Sequence, residues 1–342
     1  MKPLVSILIP AYNSEGWIAD TLRSALSQTW PNKEIIVVDD GSKDRTLEIA
    51  RQFESEGVQV IAQKNQGAAA ARNTAYTHSR GDYIQWLDAD DLLSPDKISV
   101  QMAKAEECGS KQTLISCGWG QFLYRYDRAK FEPTALWRDL YPAEWLTCKM
   151  SQNLHMQTAT WLVSRELSES AGPWDANMWS DDDGEYFCRV LLASDGVRFT
   201  PGPRVYYRAS GAGSLSYIGF SNRKRDAQWK SMQLHIGCLR SLEDTPRTRA
   251  ACVSYIQNWL LFFYPERADL IDEMRNMAHE LGGTIQTPRL SWKYSWIEFL
   301  CGEKLGRRAQ FVLPRLKWSV LRFGDRLLFR LAPGDSAPFR AG

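Results

Sequence analysis

The chain has 342 residues, 44% of them apolar and 24% charged, with a formal net charge of +2. These are the fractions of an ordinary globular protein, long enough for one large domain or a domain with an added subdomain. Seven cysteines stand singly with no C-x-x-C pair, which argues against a disulfide framework or a zinc site and for a reducing, cytoplasmic compartment.

The first apolar run is too short for a signal peptide, and no stretch approaches the roughly 18 apolar residues of a membrane span. Charge is unevenly placed. Residues 286–342 hold 11 Lys/Arg against 4 Asp/Glu, a net of +7, and leave the rest of the chain at −5.

Leu4–Ile9 is a continuous β-branched run that predicts a buried strand ending at Pro10. Trp17, Ile18, Leu22, Ala25 and Leu26 recur at helical spacing, with Ser14 as a candidate cap. Glu34–Asp39 predicts a second strand, closed by Asp39-Asp40-Gly41-Ser42, with a helix from Asp44. Val58–Ala62 predicts a third strand, and Asn65–Asn73 opens a third helix. Tyr83–Leu87 predicts a fourth strand, which ends in Asp88, Asp90 and Asp91. Strand and helix alternate with short connections, so an α/β fold with a Rossmann-like, mostly parallel sheet is expected.

After Glu107 the regularity fades. Thr113–Cys117, Gly120–Tyr126, Thr158–Val163, Val197–Thr200 and Arg204–Arg208 read as strands, and Ser180–Leu192 as a helix. From Ser221 the pattern is helical to the end.

Three of the four early strands end in polar groups that parallel order brings into one crevice, the place where open α/β sheets bind ligands. Taken singly, each is also a turn or a helix cap. Together they suit a nucleotide. Asp39 can accept a hydrogen bond from a base, and Tyr12 can stack on it. Arg72, near a helix N-terminus, can pair with a diphosphate. Asp90 can hold a divalent metal that bridges the diphosphate, since Mg²⁺ takes one or two protein carboxylates beside phosphate and water.

Val5–Asn13, Glu34–Ser42 with Asp44 and Thr46, Asn65–Asn73 and Asp88-Ala-Asp-Asp91 resemble, in order and spacing, the family 2 glycosyltransferases of the GT-A fold. The resemblance implies a nucleotide-diphosphate-sugar donor, most simply a UDP-sugar, with Mg²⁺ or Mn²⁺ as cofactor and inversion at the anomeric carbon. It implies that Pro10, Ala11, Tyr12 and Asn13 line the donor site, that Asp39 contacts the base and Asp88 the ribose, that Asp90 binds the metal, and that Arg72 meets the donor phosphates or sugar. The expected catalytic domain covers 1–220, with a nucleotide-sugar-binding half (1–107) and an acceptor-binding half (108–220). A helical, basic and aromatic-rich region follows (221–342).

An inverting transfer needs a carboxylate to take the proton of the acceptor hydroxyl. The family places it in an acidic pair that opens a helix before aromatics and an Arg. Trp179-Ser-Asp-Asp-Asp-Gly-Glu-Tyr-Phe-Cys-Arg189 fits, with Asp182 and Asp183 in register and Asp181 as a third acid. An acidic helix N-terminus that complements the helix dipole is the plain alternative. Trp179 packs on an acceptor sugar or in the core, and Arg208 is a candidate acceptor or loop contact. Where relatives carry a His two residues after that Arg, this chain has Ser210, followed by glycines in 211–213 that suit a mobile loop. His155 faces the acceptor or is a structural histidine.

Trp292, Trp296, Phe299, Phe311, Trp318 and Phe323 lie among Arg307, Arg308, Arg315, Lys317, Arg322 and Arg326. That pattern suits either an amphipathic helix on an anionic bilayer at the cytoplasmic face of the membrane or helices packed on the catalytic domain. Nothing supports a nucleic-acid partner. The expected acceptor is a glycan or a lipid-linked molecule, in polysaccharide, glycolipid or other cell-envelope glycan synthesis. A nucleotidyltransferase would need a Gly-rich triphosphate loop after the first strand, which Pro10–Asn13 is not. A non-catalytic binding scaffold would lack the metal and base acids.

Overall fold

The computed structural model describes residues 2–178, 180–209 and 221–331. The four apolar runs are parallel strands: β1 (Val5–Ala11), β2 (Lys33–Asp39), β3 (Val58–Ala62) and β4 (Tyr83–Trp86). Helices α1 (Ile18–Leu26), α2 (Thr46–Arg51) and α3 (Ala68–His78) alternate with them. Ile7, Leu8, Ile36 and Val37 are fully buried, because helices cover both faces of a parallel sheet, and that is why these strands read as unbroken apolar runs. Ser14 does not cap α1 with its side chain. Its hydroxyl donates to the Tyr12 carbonyl, while its own carbonyl receives the N–H groups of Trp17 and Ile18.

Strand order in the sheet is β3-β2-β1-β4, so the chain reverses direction of build between β1 and β4. A crevice opens at that switch point, outside the carboxyl ends of the strands. Register makes the convergence concrete: Ala11 pairs with Asp39, Asp39 with Ala62, and Leu8 with Trp86.

The second sheet is built from β5 (Leu92–Leu93), β6 (Thr113–Phe122), β7 (Lys130–Phe131) and, later in the chain, the long strand 196–208. Between them come α4 (Lys97–Cys108), α5 (Pro142–Gln152), β8 (Val163–Ser164), α6 (Arg165–Ala171) and α7 (Asp182–Ala193); the long strand is β9 (Gly196–Arg208). The order is β5-β9-β6-β7, with β6 and β9 parallel, and β8 adds antiparallel to β4 at the edge of the first sheet.

The sequence pattern divides β6 and β9 into two strands each, but each is one strand, with a register shift between Cys117 and Gly118. The glycines that look like breaks let aromatics approach. A Cβ on Gly118 would lie 2.9 Å from the Trp137 ring, and one on Gly120 2.7 Å from Phe131. The expected strand over 158–163 is instead a single 3-10 turn, Thr158–Thr160, before β8, with the Gln157 side chain accepting the Ala159 N–H.

Helices α8 (Asn222–Leu242), α9 (Pro246–Trp259) and α10 (Ala268–Glu280) follow. Trp229, Ile236, Tyr255, Ile256 and Met274 join the same buried cluster as Trp86, Trp161 and Tyr186. These helices therefore complete the core behind α5 and α7.

Beyond them lie α11 (Ser295–Cys301) and α12 (Glu303–Leu331). The latter touches the rest of the chain at a few points. Asp325 accepts the N–H of Tyr124 and the Nε of Arg125, the second at 2.6 Å. Phe329 packs near Tyr124, Phe311 near Phe262, and Arg307 over Tyr264. Elsewhere the hairpin is bare: Trp292 is 79%, Phe299 88% and Phe323 72% exposed. No described helix is long and apolar enough to cross a membrane.

Candidate active site

Two loops at the mouth of the crevice are tied to each other. The Asn13 N–H donates to Ser42 Oγ at 3.0 Å, and the Lys43 N–H returns to Asn13 Oδ1 at 2.9 Å. The Ser14 N–H donates to Thr46 Oγ1 at 2.6 Å. Asn13 takes a left-handed φ of 49° to make this exchange, a conformation that Asn tolerates. Pro10 and Ala11 contribute backbone; the Ala11 carbonyl receives the Asp40 N–H at 2.8 Å.

Asp39 lies at the bottom of this clasp, 1% exposed. Its Oδ2 accepts the Ser42 N–H at 3.1 Å, and its Oδ1 is buried without a partner among the described residues. Buried carboxylate oxygens are rarely left bare, so this atom has the capacity to take a donor from a ligand. The Tyr12 ring, 45% exposed, stands in the same loop. Asp40 is fully used, receiving the Gln63 side chain and the N–H groups of Gln66 and Gly67, which shape the entry to α3.

Arg72, on α3, is buried and forks between two acids. Its Nη2 donates to Asp88 Oδ1 at 2.8 Å and its Nη1 to Asp182 Oδ2 at 2.7 Å, and its guanidinium lies 4.4 Å from the centre of the Trp174 ring. Burial opposes its charge, but Asp182 and Asp88 more than restore it and hold its pKa above the ordinary value. Arg72 thus joins the loop after β4 to the first turn of α7. Trp174 stacks on Tyr186 at 4.1 Å, and both meet Trp86 edge-on, so an aromatic column sets the angle of α7 against β4.

The loop after β4 is fixed by Arg208, which is itself enclosed. The Arg208 N–H donates to Asp91 Oδ1 and its Nε to the Asp90 carbonyl. Its guanidinium lies between Trp17 and Phe122 and 3.6 Å from Asp20. It faces the carboxylate loop, not an open acceptor surface. Asp91 is buried with both oxygens bound, the second by Gln157 at 2.5 Å; burial and the charges of Asp90 and Asp88 push its carboxyl well above the usual range. Asp90 is half-buried at the rim. No group of three His, Cys, Asp or Glu able to hold a metal exists among the described residues. A lone carboxylate such as Asp90 could supply a hard cation with one of the one or two protein carboxylates it takes, the rest of the shell then coming from phosphate and water.

The acidic run lies across Arg72 from Asp88. Asp182 is paired with Arg72, whereas Asp183 is not. Asp183 Oδ2 accepts from Thr158 Oγ1 at 3.2 Å, and its carboxyl is pushed up to about 7, chiefly by burial and then by Asp181 and Asp182. Asp181 begins the helix with a left-handed φ of 55°. Its side chain folds beneath the first turn, where a Cβ on residue 184 would sit 2.3 Å from Asp181 Oδ1, so a larger residue at 184 would push the Asp181 carboxylate aside.

Trp179, Ser210 and the glycines of 211–213 lie outside the described residues. His155 stands edge-on to Trp119 and lines a small cavity that also touches Asp183. Sequence reading missed Asp20, Gln157, Thr158 and His235. Each works through a partner far along the chain, and only Gln157, a polar residue beside an apolar run, carries a local signal.

Residues 6–169 match the model of Glycosyl transferase family 2. A putative teichuronic acid biosynthesis glycosyltransferase, TuaG, of Bacillus subtilis is 43% identical over 104 residues, 30% of this chain and 41% of that protein. Chondroitin synthase of Escherichia coli is 46% identical over 100 residues, 29% of this chain and 15% of that protein. The chain therefore spans less than half the length of these curated relatives. The structure of residues 1–349 of S. aureus TarS with UDP-GlcNAc superposes with a TM-score of 0.56 at 18% identity, over 83% of this chain and 93% of that one. The likeness is one of fold: a GT-A α/β fold with C-terminal helices.

Proposed function

We propose that this chain, whose residues 6–169 match the model of Glycosyl transferase family 2, moves a sugar from a nucleotide-diphosphate donor to an acceptor hydroxyl with inversion. The relatives named for teichuronic acid and chondroitin synthesis support a role in cell-envelope or other polysaccharide assembly. The neighbour holding UDP-GlcNAc supports a UDP-sugar as donor.

One observation carries the reading. Asp183 has a carboxyl pushed up to about 7 and stands in the first turn of α7, beside Asp182, which Arg72 ties to the loop after β4. A base poised near neutral pH is what proton removal from a sugar hydroxyl requires.

In the proposed reaction, Asp39 Oδ1 receives an N–H of the base, Tyr12 stacks on it, and Asp88 meets the ribose. Asp183 takes the acceptor proton as the oxygen attacks the anomeric carbon, and the nucleoside diphosphate leaves from the opposite face. Arg72 holds Asp88 and Asp182 at fixed separation, so donor and base keep their relative position. A divalent ion at Asp90, Mg²⁺ or Mn²⁺, would neutralise the departing diphosphate.

The bare aromatic faces of α11 and α12 among arginines support contact with an anionic membrane at its cytoplasmic face, where a lipid-linked acceptor would be presented. Incubation with UDP-, GDP- and dTDP-sugars, with and without metal, tests the reading. Release of nucleoside diphosphate and a product of inverted anomeric configuration are expected; a retained configuration would remove Asp183 from its role.

A further inference from the structure

We propose that His235 is a positioning residue of the transfer, holding the Asp183 carboxylate through water in a cavity behind α7 that it shares with Asp181. The proposal rests on the reading of Asp183 as the base. Residue 235 lies outside residues 6–169, so the family match assigns it nothing.

The cavity has a volume of about 30 Å³ and is lined by Asp181, Asp183, His235, Lys149 and His155, with Trp161 among its apolar walls. A buried water needs roughly 10–15 Å³ and two to four polar partners, and this cavity offers both. His235, on α8, is 1% exposed. Its Nδ1 lies 3.1 Å from the Tyr255 hydroxyl, which has no other acceptor among the described residues. With that hydroxyl donating, the ring proton sits on Nε2. Nε2 is buried beside the backbone of Gly184, makes no well-formed hydrogen bond among the described residues, and lies 3.8 Å from Asp181 Oδ2. That gap is too long for a direct bond and suits a bridging water. Asp181 Oδ2 also accepts from Ser231 Oγ at 2.5 Å, so α8 grips the residue that starts α7.

An N–H presented through water to Asp183 favours its ionised form and fixes its orientation. The other groups facing the pair are Arg72 from α3, Asp88 after β4, Lys149 from α5, His155, Asp182 and Cys188 on α7, and Tyr255 on α9. None of them changes between the variants below.

The test compares His235→Asn, which keeps only an Nδ1-like group, with His235→Gln, whose amide nitrogen reaches the Nε2 position. H235N is expected to lower kcat about tenfold, the size seen when a partner that orients a reacting group is lost, with the donor KM unchanged. The acidic limb of its kcat–pH profile is expected to move to higher pH. H235Q is expected to restore both. A purely structural role would lower the melting temperature of either variant without moving the limb.

An H235N limb that stays in place overturns the proposal. So does a high-resolution crystal structure of the unaltered protein with no water within hydrogen-bond distance of both Nε2 and Asp183, and that structure decides the matter even if neither variant folds. Asp183→Asn keeps the two ideas apart: if D183N transfers at full rate the base assignment fails, and if D183N is inactive while the H235N limb is unmoved this proposal alone fails.

Discussion

Arg72 Nη1 and Asp182 Oδ2 lie 2.7 Å apart across 110 residues of sequence, and Asp88 takes the other arm of the same guanidinium. One planar fork therefore sets the distance between the loop after β4 and the first turn of α7. Arg72→Lys keeps the charge but can meet only one acid at a time. It is expected to melt close to the unaltered protein and to transfer at least tenfold more slowly. Arg72→Met leaves both acids unpaired. Breaking a buried pair costs about 3–5 kcal/mol, and because these carboxylates keep 31% and 21% exposure a smaller loss, about 2–3 kcal/mol, is expected in denaturant titrations.

Asp183→Asn is expected to bind donor normally and to slow transfer by about 10²–10⁴-fold. In the unaltered protein kcat should rise with pH through about 7, as the carboxyl loses its proton. The same group weakens the fold. Its folded pKa is raised from 3.8 to about 7, so the native state binds the proton more tightly than the unfolded chain. The stability it costs is absent below the unfolded value, grows as pH rises between the two, and is complete above the folded one. D183N should therefore melt higher than the unaltered protein at about pH 8 and equally with it near pH 4, as followed by circular dichroism.

Asp39→Asn replaces one acceptor oxygen by an amide. Calorimetry with UDP is expected to show affinity falling by about tenfold or more, equivalent to one lost charge-assisted hydrogen bond of roughly 1.5–3 kcal/mol, with the melting temperature almost unchanged. Equal affinity would reduce Asp39 to the acceptor of the Ser42 N–H.

Asp90→Ala is expected to abolish metal-dependent donor turnover while the fold survives, because the loop backbone is held by Arg208 at the Asp90 carbonyl. Chelator added to the unaltered protein should reproduce the loss. Activity persisting under both conditions would remove the metal from the scheme.

Truncation after about residue 288 removes α11 and α12. The unaltered chain is expected to sediment with anionic liposomes and to release as salt rises, since each Arg or Lys near such a surface contributes about 1 kcal/mol. The truncated chain should stay in solution and keep its fold, given that the core helices end with α10. Equal liposome binding by both would refute the membrane reading.

The first four strands were legible because physics leaves few options there. A strand buried on both faces must be apolar throughout, and polar residues such as Asp39 and Asp88 can appear only where it ends. The stretch after α4 was harder. Glycines 118 and 120 look like turns but are clearances for Trp137 and Phe131. Thr158–Val163 has strand composition but opens as a 3-10 turn around Gln157. Arg72 was expected at the donor phosphates or sugar, but its fork to Asp88 and Asp182 needs the tertiary fold to be seen, as do the Asp20–Arg208 pair and the approach of His235 to Asp181.

The exchange of hydrogen bonds between Asn13 and Ser42, seconded by Ser14 and Thr46, has an evolutionary consequence. An alteration in either loop disturbs the other, so the proposed nucleobase pocket is expected to change as a unit. A change of nucleotide preference is then expected to need substitutions on both loops. Asn13→Ala and Ser42→Ala should accordingly be epistatic, with an interaction energy of about 0.5–3 kcal/mol between them.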